Sequence, residues 1–377
     1  MKNSQAEEAP APTPPYRADQ VGSLLRPPAL KTAMAEARAG AIDAAQLKAF
    51  QDDCIREAVA MQEAVGLQVV TDGEFRRVSF HHFVDELEGT VMSRPSAAPG
   101  AAPKSFEPRT YAITRKLRWR ASIEAESFRY LAGLTRRTAK VTLASPTMLL
   151  RAGREAISRE AYPDLAEFRA DVAAVYRTEI RALAEAGCTY VQLDDTNFAY
   201  LCDPELRARR QLGGDDSTAA AQRYVELINA AIGDRPAAMS ACLHICRGNS
   251  AGSFAARGGY EPIADVLFNE LDVDGYFLEY DDARSGGFEP LRFLAKGSAK
   301  KIVLGLVTTK SPKLESKDEL KRRIEAAAKF VPLENLCLSP QCGFASTSEG
   351  NPLSEESERR KLERVVDTAR EVWGTAA

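Results

Sequence analysis

The sequence predicts an α/β protein built as a single (β/α)8 TIM barrel, and three observations lead to this prediction. Short apolar runs rich in β-branched residues recur eight times along the chain, as strands buried on both faces require. Stretches with apolar residues three and four positions apart separate these runs, which is the pattern of helices that cover a parallel sheet. The 377 residues, of which 45% are hydrophobic, fit one large barrel.

The predicted strands alternate with the helical stretches in chain order. They cover residues 17–24, 67–73, 139–145, 189–195, 237–246, 275–281, 301–308 and 334–340. An open doubly wound sheet is the alternative, but no GxGxxG motif follows the first strand. The barrel is therefore the favoured architecture.

Capping residues mark the boundaries of the predicted helices. Two amphipathic stretches end at Gly66 and Gly187, because glycine suits the left-handed conformation at a helix C-terminus. Ser217 is a suitable N-cap for a third helix, and Ser316 with Glu319 three residues later has the pattern of a capping box. A further amphipathic stretch near the C-terminus closes the barrel.

Two segments differ from the barrel pattern, and the barrel itself is assigned to residues 16–377. Residues 1–15 are rich in Pro and Ala and predict a disordered lead-in. A segment of about residues 89–125, between the second and third strands, contains a Pro/Ala/Gly-rich linker. We expect this segment to be an insertion, with a hairpin over the barrel mouth as its form.

Composition argues against several classes of function. The net charge of −3 and the pI of about 5.9 do not suggest a nucleic-acid partner. No apolar run approaches the roughly 20 residues that a membrane span needs. The first residues lack the apolar region of a secretory signal, and the seven cysteines do not form a disulfide-framework pattern. We therefore expect a cytoplasmic protein with reduced thiols.

Residues with metal-binding side chains follow three of the predicted strands. His244 and Cys246 end the fifth strand two residues apart, so their side chains point to the same face. Glu279 ends the sixth strand, and Cys342 follows the eighth. The C-terminal ends of barrel strands meet at one mouth, so these side chains should be neighbours. Two thiols, an imidazole and a carboxylate form a ligand set typical of zinc.

Structural roles for the same residues are the alternative. Buried cysteines are often plain core residues, and His244 could simply hydrogen-bond a carboxylate. Glu279 is harder to explain in this way, because an unpaired carboxylate on a buried strand is costly.

At these positions the chain resembles the cobalamin-independent methionine synthase family, specifically its C-terminal catalytic barrel. The resemblance runs from about Arg17 to Trp373 and rests on VGS, DGE, QLDD, HIC, LEY and SPQCG, in that order. It implies a Zn²⁺ ion held by His244, Cys246, Glu279 and Cys342. It also implies that a substrate thiol takes the place of Glu279 as a thiolate, which then attacks the alkyl donor.

The thiol of that family is homocysteine, and the resemblance assigns its amino-acid end to Ser23, Glu74 and Asp194. An ion pair of either carboxylate with a nearby arginine is the alternative. The predicted catalytic residues are Glu279 and Asp194, and the predicted substrate-binding residues are Ser23, Glu74, Asp194, Arg76 and Arg247. The sequence thus predicts a zinc-dependent S-methyltransferase of methionine biosynthesis.

Two features depart from the family pattern. The longer family members have a second, N-terminal barrel that helps to hold the polyglutamate tail of the folate, and this chain is too short for it. The IHSP segment after the seventh strand reads VTTKSP here. Thr308, Thr309 and Lys310 therefore stand where a histidine is proposed to protonate the departing folate, and none of them is an obvious acid. The donor stays open between methyl-folate, a simple methyl compound and a methylated corrinoid on another protein.

Two other functions are compatible with the same motifs. Short single-barrel relatives open epoxides with coenzyme M, whose sulfonate requires cationic partners. Candidates for that role are Arg76, Arg77, Arg247 and Lys310. A carboxylate pair formed by Glu74 and Asp194 suits an ammonium better, which favours homocysteine. The third possibility is a barrel that binds zinc or a thiol without turnover.

Overall fold

A computed structural model describes residues 13–93, 110–209, 217–249 and 251–377. Most of the predicted lead-in and the middle of the predicted insertion lie outside these described residues. The strands are β1 (Val69–Val70), β2 (Glu88–Ser93), β3 (Thr110–Arg118), β4 (Thr138–Ala139), β5 (Val141–Ala144), β6 (Tyr190–Asp195), β7 (Ser240–Ile245), β8 (Gly275–Glu279), β9 (Lys301–Val307) and β10 (Leu336–Pro340).

The parallel strands form a ring in chain order, as a barrel requires. Strands β5 to β10 make one six-stranded parallel sheet, and β1 pairs in parallel with β4. Residues 17–24 complete the ring, because Ala18 forms a parallel bridge with Leu338 of β10. On the other side of this segment, the amide of Leu24 donates to the carbonyl of Gly73, 3.1 Å away, just after β1. The predicted (β/α)8 architecture is thereby confirmed.

The first predicted strand, residues 17–24, is an extended segment rather than a regular strand. Side chains take over hydrogen bonds that a neighbouring strand would otherwise supply. The Asp19 carboxylate accepts a bond from the Gln20 amide at 2.8 Å, and the Thr71 hydroxyl donates to the Gly22 carbonyl at 2.6 Å. The third predicted strand is likewise interrupted, at Lys140, where β4 ends and β5 begins.

The helices cover the outside of the ring. They are α1 (Pro28–Arg38), α2 (Ala44–Val65), α3 (His82–Asp85), α4 (Ala125–Leu134), α5 (Leu165–Glu185), α6 (Asn197–Cys202), α7 (Pro204–Arg209), α8 (Ser217–Ile232), α9 (Ala264–Glu270), α10 (Lys317–Ala327) and α11 (Glu355–Trp373). Gly66 caps α2 with a left-handed φ of 98°, as its position in the sequence predicts. The Ser316 hydroxyl accepts a bond from the Glu319 amide at the start of α10.

The insertion between β1 and β4 contains the predicted hairpin. Strands β2 and β3 pair in antiparallel fashion, and residues 94–109 between them lie outside the described part of the chain. Ile113 of β3 bridges to Ile157, and the Leu117 amide donates to the Tyr162 hydroxyl at 2.6 Å. Both partners belong to the segment after β5, so the hairpin lies on the side of the barrel where the strands end.

Two expectations about the chain as a whole can be compared with the structure. All seven cysteines are free thiols, in agreement with the predicted absence of a disulfide framework. Within the described ranges, none of the helices combines the length and the apolar character that a bilayer crossing requires.

Candidate active site

Four side chains with metal-binding atoms meet at the mouth of the barrel. His244 is near the end of β7, Cys246 follows that strand directly, Glu279 is the last residue of β8 and Cys342 comes shortly after β10. One ligand atom of each side chain lies within 4.8 Å of those of the other three. All four are buried. The structure therefore brings together the four residues that the sequence proposes as metal ligands.

The two thiols are adjacent, and the pKa values of the two shift in opposite directions. The Sγ atoms of Cys246 and Cys342 are 3.5 Å apart. The hydrogen bond from Cys246 and the nearby His244 imidazole hold the pKa of Cys342 well below its usual value. That same bond, together with burial, raises the pKa of Cys246 well above its usual value. These opposite shifts favour Cys342 over Cys246 as the thiolate of the pair.

His244 is oriented by a backbone carbonyl. Its Nδ1 atom is 3.3 Å from the Phe277 carbonyl oxygen, which can only accept, so Nδ1 carries the proton in this contact. The Nε2 atom is buried and has no hydrogen-bond partner among the described residues. In a metal-binding histidine, one ring nitrogen usually donates to a carbonyl while the other is left for the metal, and His244 has this arrangement.

The charge on His244 depends on its neighbours. Burial opposes the charged imidazolium, but the Cys342 thiolate and the carboxylates of Asp194 and Glu279 outweigh it and raise the pKa of His244 to about 9. An imidazolium next to a thiolate is a stable arrangement while the site holds protons. A divalent cation would replace those protons, since metal ligands bind in their deprotonated forms.

Glu279 is fully buried and already has polar partners. Its Oε1 atom accepts a 2.6 Å hydrogen bond from the Arg247 amide, and its Oε2 atom accepts a 3.0 Å bond from the Arg284 guanidinium. The Lys310 ammonium lies 3.5 Å from the same Oε2 atom. These contacts offset the cost of burying a carboxylate on an apolar strand.

A cavity lies directly beside the four ligands. Its volume is about 500 Å³ when the open space at its entrance is included. Three of the ligands, His244, Cys246 and Cys342, form part of its wall. The other residues that line it are Val21, Ser23, Glu74, Phe80, Asp194, Thr196, Gly248, Asn249, Gly343, Ser346 and Thr347. The predicted residues Ser23, Glu74 and Asp194 therefore lie next to the candidate metal centre.

Two buried carboxylates give the cavity its acidic character. Burial raises the pKa of Asp194 to about 7, although the nearby His244 opposes the shift, and the Gln192 amide donates to Asp194 at 2.7 Å. Burial also raises the pKa of Glu74, against the opposing charge of Arg77. The Oε1 atom of Glu74 accepts a 2.9 Å bond from Thr142, while Oε2 has no partner among the described residues. An ammonium group would satisfy both carboxylates.

The backbone at Glu74 is unusual for a residue with a side chain. Its φ angle is 60°, in the left-handed region that normally favours glycine. The Asp72 carboxylate accepts a 2.8 Å bond from the Glu74 amide and so stabilises this turn. Such backbone strain is most often retained where it positions a functional side chain.

Two of the predicted substrate-binding residues, Arg76 and Arg247, have side chains outside the described cavity wall. Arg76 forms an ion pair with Asp52 and packs on the Tyr130 ring at 5.0 Å, away from the cavity wall. Arg247 is fully buried, and its guanidinium lies 4.5 Å from the Tyr260 ring. Only its backbone amide reaches the site, through Glu279. Neither side chain is among the described residues that line the cavity.

Several residues of the site are absent from the sequence prediction. Phe80 and Thr347 reach the cavity because the loops after β1 and β10 pair with each other, with an antiparallel bridge between Ser79 and Thr347. This contact joins segments far apart in sequence, so no local pattern indicates it. Asn249 comes three residues after Cys246, and that closeness to a predicted ligand is a signal that could have identified it.

Gly305 of β9 is expected to be important for packing between β8, which ends at Glu279, and the segment after β10 that carries Cys342. A Cβ atom at this position would lie 2.7 Å from Gln341 Cα and 2.8 Å from the Leu278 carbonyl oxygen. Both neighbours are backbone atoms, so we expect Gly305→Ala to lower the free energy of unfolding by about 1–3 kcal/mol, measured by urea denaturation.

The matched control for that substitution is Gly133→Ala. Gly133 belongs to α4, and a Cβ atom there would meet nothing within 4 Å. Alanine favours a helix over glycine by up to about 1 kcal/mol, so this variant should be as stable as the native protein or more stable. Similar unfolding curves for the two variants would show that the contact at Gly305 is not tight.

The fold and the site together define the class of protein: a (β/α)8 barrel with a candidate metal centre of two cysteines, a histidine and a glutamate at its mouth. A family model described as the catalytic domain of cobalamin-independent synthases matches residues 17–371. The chain therefore belongs to the cobalamin-independent methionine synthase family.

Individual relatives match most of the length of the chain. The uncharacterized protein YxjG of Bacillus subtilis is 42% identical over 363 residues, which cover 96% of this chain and 95% of that protein. A methionine synthase of Pyrococcus abyssi is 27% identical and matches 86% of this chain and 85% of that protein. A structural-genomics protein from Listeria monocytogenes, assigned to the vitamin-B12 independent methionine synthases, has a TM-score of 0.77 at 37% identity, with 96% of this chain and 98% of that chain covered.

Proposed function

We propose that this protein is a zinc-dependent S-methyltransferase that transfers a methyl group to homocysteine and so produces methionine. The observation that carries the proposal is the convergence of His244, Cys246, Glu279 and Cys342 within 4.8 Å, beside a cavity with two buried carboxylates. The membership of the chain in the cobalamin-independent family supports a methyl transfer that needs no corrinoid protein.

The residues present fit a zinc ion. Two thiolates and an imidazole are the soft and borderline donors that Zn²⁺ prefers, and a carboxylate completes a four-coordinate set. The buried Nε2 atom of His244, without a partner among the described residues, supports the same interpretation. When bound, the zinc ion would supply the positive charge that keeps a substrate thiol ionised at neutral pH.

The chain's own side chains would hold the amino-acid end of the substrate. The ammonium of homocysteine suits the cavity wall formed by Glu74 and Asp194, since each carboxylate is buried and Glu74 has an oxygen to spare. Ser23 lies on the same wall, where its hydroxyl accepts a 3.3 Å bond from the Ala345 amide. Its own proton is then available to a substrate carboxylate.

On the side where the methyl donor would bind, the segment with Thr308, Thr309 and Lys310 differs from the family pattern. Thr309 is fully buried, and its hydroxyl donates to the Gly343 carbonyl at 3.0 Å. Lys310 faces Glu279 and Asp281 rather than the described wall of the cavity. We therefore propose that no residue of this segment acts as the acid on a departing folate, and that water supplies the proton.

The cavity argues against coenzyme M as the thiol. None of the described lining residues is a lysine or an arginine, and the structure directs Arg76 and Arg247 elsewhere. A sulfonate next to Glu74 and Asp194 would be repelled by both carboxylates. Homocysteine is thus the thiol that the charges of the cavity favour.

A combined metal and turnover experiment tests the proposal. The purified protein is expected to hold about one zinc ion per chain and to form methionine from homocysteine, with 5-methyltetrahydropteroyltriglutamate as donor. Calorimetric titration with homocysteine alone shows whether the thiol site is present. An inactive protein that still binds homocysteine would then need a different methyl donor. Turnover of epoxypropane with coenzyme M, or homocysteine binding that is unchanged after zinc is removed, would contradict the proposed function.

A further inference from the structure

Glu279 differs from the other three candidate ligands in its existing contacts. Both of its carboxylate oxygens already accept hydrogen bonds from the protein, one from the Arg247 amide and one from Arg284. His244 Nε2 has no partner among the described residues, and the two thiols contact each other. A metal would therefore gain the imidazole and the thiolates at little cost, but would have to compete for Glu279.

Arg284 and Lys310, which would compete with a metal for Glu279, are two cations that lie against the same pair of carboxylates. The Arg284 guanidinium binds Glu279 at 3.0 Å and Asp281 at 2.8 Å. The Lys310 ammonium lies 3.5 Å from Glu279 and 3.6 Å from Asp281. The Thr308 hydroxyl donates to Asp281 at 3.0 Å and fixes that carboxylate in place. The side chains of Arg284 and Lys310 are only 8% and 10% exposed, so water screens these charges little.

Lys310 has hydrogen-bonding capacity that the described residues do not use. Its Nζ atom is buried and lacks a hydrogen-bond partner among them, although two carboxylates are close. A buried ammonium with unsatisfied donors is costly, so a contact that satisfies it is favourable. A small movement of the Glu279 carboxylate towards Lys310 would make that contact.

The charges also balance when Glu279 is released from a metal. Glu279 and Asp281 together carry the charge that Arg284 and Lys310 neutralise. The two thiolates of Cys246 and Cys342 neutralise a divalent cation by themselves. Glu279 can consequently leave the ligand set without becoming an unpaired buried anion.

We propose that Arg284 and Lys310 form a receiving site that holds the Glu279 carboxylate when the substrate thiol takes its place at the metal. This inference rests on the proposed function, because it assumes that a thiol binds at the metal. Arg284 and Lys310 are positioning residues: they set the balance between the metal-bound and the released positions of Glu279.

The inference predicts opposite effects on metal and thiol binding. Lys310→Met removes one partner of the released carboxylate, so Glu279 should stay with the metal more firmly. Zinc affinity is then expected to be unchanged or higher, while homocysteine affinity falls by about tenfold or more. A purely structural role for Lys310 would lower both affinities together.

The experiment measures the two affinities separately. Zinc affinity is obtained by competition with a chromogenic chelator, and homocysteine affinity from the visible absorption of the cobalt(II)-substituted protein. Lys313→Met is the matched control, because Lys313 is exposed and three residues away in the same loop. It should behave like the native protein in both measurements.

The possible failures can be told apart. A native protein that binds neither zinc nor homocysteine would overturn the proposed function and this inference with it. A native protein that binds both, combined with a Lys310→Met variant that loses both affinities or keeps its homocysteine affinity, would overturn the receiving site alone.

Discussion

Replacing Cys342 by serine is expected to weaken zinc binding by about 100-fold or more and to abolish methyl transfer. Substituting a residue that only hydrogen-bonds to a metal ligand typically lowers metal affinity 10- to 100-fold. The loss of a ligand itself should lower the affinity by at least about 100-fold. Cys246 and His244 hold the pKa of Cys342 well below its usual value, which favours the thiolate form of this residue. A serine hydroxyl stays protonated and is a poor zinc donor. Metal content after dialysis, measured by mass spectrometry, tests this expectation.

Cys188→Ser is the control for the loss of a buried thiol. Cys188 is also buried, and its Sγ atom donates to the Tyr190 carbonyl at 3.4 Å, at the start of β6 and away from the ligands. A serine can make the same bond, so this variant should keep the native zinc content and activity. Equal zinc content in the Cys188 and Cys342 variants would contradict the proposed ligand set.

The barrel could be predicted because its strands are buried on both faces. Such strands are continuous apolar runs, and seven of the eight predicted segments contain a strand whose two ends lie within three residues of the expected ones. Residues 17–24 contain no regular strand, and residues 139–145 are interrupted at Lys140. Asp19 and Lys140 are buried polar residues within these two segments. The Lys140 ammonium binds Asp19 at 2.9 Å and Gln192 at 3.1 Å, and this network replaces part of the regular strand pairing.

The ligands could be predicted for a reason that does not apply to the loops. Strand ends converge in any closed parallel barrel, so His244, Glu279 and Cys342 could be expected to meet without knowledge of detailed geometry. Arg284 reaches Glu279 only because a short 3₁₀ turn, Ala283–Ser285, directs it back towards β8. Arg76 faces Asp52 of α2 and not the cavity. Side-chain direction in loops depends on such turns, which the sequence pattern does not determine.

Removing the charge of Glu74 or Asp194 is expected to lower kcat/KM for homocysteine by roughly 10- to 150-fold in each case. A hydrogen bond to a charged group contributes about 1.5–3 kcal/mol, and the substrate ammonium would lose one such partner. Glu74→Gln and Asp194→Asn preserve shape, and each new amide oxygen can still accept the bond from Thr142 or Gln192. Zinc content should stay at the native level, which separates this effect from the loss of a ligand.

A thiol without the ammonium group provides the decisive comparison. With 4-mercaptobutanoate, which is homocysteine without its amino group, both variants should be at least as active as the native protein, since no ammonium contact remains to be lost. A decrease of the same size for both thiols would mean that the carboxylates act on the metal site or on the fold instead.

The same substitutions should leave the protein as stable as before or make it more stable. Burial raises the pKa of Asp194 from an ordinary value of 3.8 to about 7, so the native state binds its proton more tightly than the unfolded chain does. Stability therefore falls as the pH rises from about 4 to about 7, and the loss persists above that range. Asp194→Asn removes this penalty, and the gain in the free energy of unfolding should be largest above pH 7. A carboxylate that weakens the fold yet strengthens homocysteine binding is what a substrate site requires, whereas a carboxylate retained for stability would show the opposite pair of effects.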